Sequence, residues 1–126
     1  LVGIVIVSHS QKLAEGVVEL AQMMATEVDI AAAGGLEGGL GTSYARIQHA
    51  VEEVNGADGA IVLVDMGSAV MTAELVLEKM HDDHLLLVDA PLVEGAVLAA
   101  VAAAQGKNVQ EVAKAAESAS QMCKCE

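Results

Sequence analysis

A histidine in a short polar turn directly after an apolar run is well placed for nucleophilic work. His9 stands in such a turn, in Gly3-Ile4-Val5-Ile6-Val7-Ser8-His9-Ser10. Where strand gives way to helix, an imidazole is partly exposed and lies beside backbone N–H groups that favour an anion. That setting suits a phosphoryl group carried on a ring nitrogen. Two further clusters have matching chemistry. Asp65-Met66-Gly67-Ser68 closes another fully apolar run, and Gly34, Gly35, Gly38, Gly39 and Gly41 lead into Thr42 and Ser43. A carboxylate such as Asp65, accepting from one imidazole nitrogen, sets the tautomer and leaves the other nitrogen nucleophilic. It also stabilises the positive ring that develops during transfer. Ser68, Thr42, Ser10 and the loop at Gly39 and Gly41 are candidates to hold phosphoryl oxygens. Phosphoryl transfer is mostly positioning and electrostatics, so small donors suffice.

These groups need elements that bring them together. Val2–Val7 reads as a strand buried on both faces, because it is an unbroken apolar run rich in β-branched residues. Ser8 and Gln11 have capping-box spacing and predict a helix start at His9 or Ser10. Leu13, Val17, Leu20, Ala21 and Met24 then form its apolar stripe. Glu27–Ala33 is a weaker strand, followed by the glycine loop and a helix with Tyr44, Ile47, Val51 and Val54 on one side. Ala60–Val64 and Leu85–Val88 are further apolar strands, each followed by a helical pattern. Pro91 suits a helix start and Gly106 its end, and Asn108 with Glu111 opens a last helix.

Strand–helix alternation with buried strands predicts an α/β fold of three layers, α/β/α, around a mostly parallel four-stranded sheet. Residues 1–126 are expected to form a single domain of this kind. Right-handed crossovers put the three polar turns at one edge of the sheet. With strand order 2-1-3-4, His9 and Asp65 face one crevice.

Composition narrows the function. The chain has 126 residues, is 54% hydrophobic but only 1% aromatic, and carries a formal charge of −12. Single-stranded nucleic-acid binding needs aromatic platforms and a basic groove, and duplex binding needs clustered cations, so no nucleic-acid partner is expected. No apolar stretch approaches the roughly 18 residues of a membrane span. The start lacks the features of a signal peptide, and a cytoplasmic protein is expected.

Other residues have ordinary readings. The glycine loop lacks the lysine of a P-loop, and no GxGxxG opens the first helix. His81 and His84 flank Asp82 and Asp83, but at the opposite edge from His9, where a solvated turn outweighs a metal site. No metal is expected. His49 falls mid-helix at or beside the surface. Met23, Met24, Met71 and Met80 read as core filler. Glu94 suits the dipole of its helix start. Cys123 and Cys125 lie in a short tail and are assigned no role.

The segment Gly-Ile-Val-Ile-Val-Ser-His-Ser resembles the phosphohistidine turn of mannose-type enzyme IIA domains of the bacterial phosphotransferase system. Gly-Gly-Leu-Gly-Thr-Ser (38–43), Asp-Met-Gly-Ser-Ala (65–69) and Ala-Pro-Leu-Val-Glu-Gly-Ala (90–96) are similar to the phosphotransferase subunits of phosphoenolpyruvate-dependent dihydroxyacetone kinases. The resemblance spans nearly the whole chain. It implies that His9 receives phosphate from the histidine phosphocarrier protein HPr and passes it to ADP on a nucleotide-binding kinase subunit. A third subunit, with dihydroxyacetone covalently attached, is then phosphorylated by the regenerated ATP. Asp65 matches the family's acidic partner of the histidine, and Ser68 its active-site serine. A homodimer is implied. No cofactor is expected in this subunit, ADP, ATP and Mg²⁺ belonging to the partner. Some members fuse this domain to carrier domains; none is expected here, which implies a separate HPr. Two other readings stay open. One is a sugar-transport IIA domain of the mannose type, which hands phosphate to a IIB domain. The other is a non-enzymatic receiver-like or dimerisation domain. A receiver takes phosphate on a strand-end aspartate beside an acidic pair, whereas the first strand here runs into Ser-His-Ser.

Overall fold

Four parallel strands lie in the order β2-β1-β3-β4: β1 (Gly3–Ser8), β2 (Ile30–Gly34), β3 (Ala60–Val64) and β4 (Leu85–Val88). The helices are α1 (Gln11–Met24), α2 (Tyr44–Val54), α3 (Ser68–Met80), α4 (Leu92–Ala104) and α5 (Val109–Glu117), with a 3₁₀ turn at Ser118–Gln121. This is a computed structural model, and it describes residues 1–125; Glu126, the end of the expected domain, lies outside the described residues.

Strand side chains alternate, so β1 feeds two cores at once. Val2, Ile4, Ile6, Ile61 and Leu63 pack with α1, α4 and α5. Val5, Val7, Val62, Ala31 and Ala33 pack with α2 and α3. The three-layer α/β/α arrangement expected from strand–helix alternation is therefore present, with the strand order 2-1-3-4.

Two expectations about packing need correction. The buried face of α1 is Ala14, Val17 and Ala21, while Leu13, Leu20 and Met24 are exposed. Helix α4 opposes α1 with Ala96, Ala99, Ala100 and Ala103, all buried. Small residues on both sides let the helices approach closely. Second, the methionines are mostly not core filler. Met71 is 74% exposed and Met23 68%, Met24 is also exposed, and only Met80 packs partly against a core.

One close approach sets the geometry of the active edge. A Cβ on Gly34 would come 2.6 Å from the Ser10 carbonyl oxygen and 2.7 Å from the Gln11 Cα. Only glycine lets the end of β2 lie against the start of α1.

Candidate functional site

The C-terminal ends of β1 and β3 are neighbours, with Val7 in register with Val64. That pairing carries His9, one residue past the end of β1, and Asp65, one residue past the end of β3, to the same rim. The Asp65 amide donates to the Val7 carbonyl at 3.0 Å and continues the ladder.

The His9 ring is held at both nitrogens. Nδ1 lies 3.0 Å from Asp65 Oδ1, and Nε2 lies 2.8 Å from Ser68 Oγ. Its main chain is held too. The His9 amide donates to Asp65 Oδ2 at 3.0 Å, and its carbonyl accepts from the Gly41 amide at 2.8 Å. The His9 side chain keeps 24% of its surface open, against 10% for Asp65.

Burial opposes ionisation of Asp65, but the His9 amide, the His9 ring and the Ser8 hydroxyl together outweigh it. Its carboxyl therefore lies below the ordinary value of 3.8. An ionised carboxylate only accepts, so Nδ1 is the protonated nitrogen of the neutral ring and donates to Asp65. Nε2 then has a free lone pair and accepts from the Ser68 hydroxyl. In that form the outward nitrogen is the one free to act as a nucleophile, and the carboxylate behind the ring is placed to stabilise positive charge on it.

The remaining candidates have defined places. Ser68 opens α3, whose N-terminus adds partial positive charge beside Nε2. Asp65 does not cap that helix: the N-cap is Gly67, without a side-chain bond. Ser10 is the N-cap of α1, accepting from the Leu13 amide at 3.2 Å. The cap is therefore Ser10 and not Ser8, and Gln11 accepts from the Gly34 amide instead of closing a capping box. Thr42 Oγ1 lies 3.4 Å from Thr72 Oγ1, which ties the glycine loop to α3. Thr72 had no sequence signal, being a lone threonine on a helix. The Gly39 amide donates to the Leu36 carbonyl, and that of Gly41 to His9. Both amides are spent within the structure, so the loop braces the histidine turn more directly than it offers donors. Gly41 does this at φ +136°, which favours glycine.

Beside the histidine turn, a cleft of about 460 Å³ is lined by Ser10, Gln11, Lys12, Gly39, Leu40 and Arg46, among others. Arg46 also donates to the Gly34 carbonyl at 2.8 Å. Two of the chain's six cations thus stand at this edge.

Far from it, His84 pairs with Asp82 at 3.6 Å, and Asn55 donates to Asp82 at 3.1 Å. Glu94, expected to act only on its helix dipole, is ion-paired with Lys124. Among the described residues, no three His, Cys, Asp or Glu side chains gather as a metal-ligand cluster, and no helix is long and apolar enough to cross a membrane. Cys123 and Cys125 are free and exposed.

Residues 3–115 match the family model of the phosphotransferase-system fructose IIA component, EIIA-man. The phosphotransferase subunit DhaM of the PTS-dependent dihydroxyacetone kinase of Lactococcus lactis is 41% identical over 111 residues, covering 87% of this chain and 89% of the relative. The phosphoryl donor subunit DhaM of the PEP-dependent dihydroxyacetone kinase of Escherichia coli is 41% identical over 120 residues. That alignment covers 89% of this chain and 25% of the relative, so the chain spans about a quarter of that protein's length. Among solved structures, a protein of unknown function superposes with a TM-score of 0.80 at 32% identity, covering 92% of each chain.

Proposed function

The chain belongs to the EIIA-man family of phosphotransferase-system components, alongside the DhaM subunits of dihydroxyacetone kinases, and from that membership we propose that it is the phosphoryl donor subunit of such a kinase. His9 is the carrier. The observation that carries this reading is the His9 ring fixed between Asp65 at Nδ1 and Ser68 at Nε2.

In this reading Nε2 attacks the phosphorus of the phosphohistidine on HPr. The Nε2–P bond forms as the donor's N–P bond breaks, and the donor ring keeps the electron pair. Asp65 stabilises the positive charge that grows on the His9 ring. Ser68 releases Nε2 and turns its hydroxyl to a phosphoryl oxygen, beside the N-terminus of α3. In the second half, a terminal oxygen of ADP on the nucleotide-binding kinase subunit attacks, the Nε2–P bond breaks, and neutral His9 is restored. Ser10 and Thr42 stand at the same rim as further polar groups for the incoming phosphoryl group. Nucleotide and Mg²⁺ belong to the partner subunit, this subunit needs no cofactor of its own, and the relay operates in the cytoplasm between soluble partners. The carrier acts as a homodimer.

The test is incubation with phosphoenolpyruvate, enzyme I and HPr, followed by intact mass and peptide mapping. One acid-labile phosphoryl group on His9 is expected, with transfer to ADP when the nucleotide-binding subunit is added. Full labelling of a His9→Ala variant overturns the reading. Transfer to a sugar-transport IIB domain in place of ADP moves the chain to the sugar-uptake branch.

A further inference from the structure

We propose that Ser8 is a positioning residue for the carrier histidine, acting through Asp65; this rests on the reading of His9 as the phosphoryl acceptor. Ser8 continues the inward alternation Val2, Ile4, Ile6 on β1, and among the described residues it is the one polar or charged residue in the buried interior, with 0% exposure. A hydroxyl buried there costs free energy unless it is hydrogen-bonded, whereas alanine costs none. The Ser8 hydroxyl therefore belongs to the network it joins.

That network has a fixed direction. Ser8 Oγ accepts from the Ser10 amide at 3.0 Å and lies 3.0 Å from Asp65 Oδ2. The Ser10 N–H is only a donor and Asp65 is an ionised acceptor, so the hydroxyl proton points at the carboxylate. Oδ2 thus receives two donors, the Ser8 hydroxyl and the His9 amide, and Oδ1 takes the shorter contact to the His9 ring, Nδ1 lying 3.0 Å from Oδ1 and 3.3 Å from Oδ2. The carboxylate cannot turn about its last torsion without losing both. Ser8 fixes the plane of Asp65, and Asp65 fixes the ring so that Nε2 points out of the crevice.

The experiment compares wild type, Ser8→Ala, Asp65→Ala and the double variant by ¹⁵N NMR of the His9 ring and by the rate of phosphorylation from HPr. Ser8→Ala is expected to shift the His9 ring spectrum toward that of Asp65→Ala. It is also expected to slow phosphorylation about ten- to a hundredfold, the fold-change matching one hydrogen bond to a charge. In the Asp65→Ala background, Ser8→Ala is expected to change neither. Ser8→Thr, which keeps the hydroxyl, recovers most of the loss. A wild-type-like ring spectrum in Ser8→Ala, or rate losses that simply multiply in the double variant, overturns the proposal. Should Ser8→Ala not fold, the wild-type protein decides: a slowly exchanging Ser8 hydroxyl proton upholds the bond to Asp65, and a rapidly exchanging one overturns it. The NMR arm reads the Ser8 effect without any phosphoryl donor. Failure of wild type to accept phosphate therefore counts against the function of His9 separately.

Discussion

Asp65 Oδ1 and His9 Nδ1 stand 3.0 Å apart although 56 residues separate them in sequence. The pair depends on β1 and β3 being adjacent in the sheet, and its consequence is a ring held at Nδ1 with Nε2 facing outward.

Phosphorylated protein is expected to carry its phosphoryl group on Nε2. The ³¹P and ¹⁵N spectra distinguish the two ring isomers. A phosphoryl group on Nδ1 would require His9 to abandon its contact with Asp65.

Asp65→Asn is expected to fold and to accept phosphate on the order of 100-fold more slowly, the scale set by a lost acid–base partner. The amide no longer stabilises a cationic ring, and it can present an N–H to Nδ1, favouring the wrong tautomer. Stopped-flow or quench-flow labelling measures this. A rate equal to wild type would make Asp65 structural only.

Ser68→Ala removes the partner of Nε2 without touching the core, since Ser68 is exposed at the start of α3. Its thermal stability is expected to stay near wild type, while transfer slows by roughly tenfold or more, as when one donor to a developing charge is removed. The two measurements together separate a site role from a folding role.

The Asp65 carboxyl lies below its ordinary value of 3.8 in the folded protein. Its contribution to stability is therefore complete above the unfolded-state value and is lost as pH falls through the lower, folded-state value. Denaturant melts of wild type and Asp65→Asn are expected to differ most near neutrality. The gap should narrow as acid takes the pH below about 4. A gap that widens in acid would reverse the sign and remove the ionised carboxylate from the site.

Gly34→Ala is expected to destabilise the fold by about 1–3 kcal/mol, the range for overpacking. The new methyl group would meet backbone at Ser10 and Gln11, which cannot swing away as a side-chain end does. Because those residues follow His9 directly, transfer should also fall. A fully stable and fully active variant would show that the β2–α1 approach is not tight.

Much of the architecture was legible from local pattern. Ala60–Val64 and Leu85–Val88 are uninterrupted aliphatic runs bounded by turn residues, and each forms a strand over those residues. Asn108 and Glu111 form the full capping box that their spacing implies. Thr42 and Ser43 are both cap-forming types ahead of the apolar stripe of α2, and the structure selects Ser43. The weak signal at Glu27–Ala33 shrank to Ile30–Gly34, because alanines carry little strand preference and only pairing with β1 selects them. The apolar stripe of α1 moved by one position, because periodicity reports that a face exists but not how near the neighbouring helix comes.

The residue types alone determined a parallel α/β chain with a histidine at one strand end and an aspartate at another, since hydrophobic runs and turn chemistry act over a few neighbours. Folding in three dimensions decided everything that depends on distances between remote segments. Ser8 is the clearest instance: its spacing to Gln11 read as a helix cap, yet its hydroxyl turns to Asp65, and Ser10 caps the helix instead. The spent amides of Gly39 and Gly41, the tie between Thr42 and Thr72, and the outward Nε2 belong to the same class. A hydrogen bond is a short-range, directional contact, so its partner exists only once the sheet has brought two loops within about 3 Å of each other.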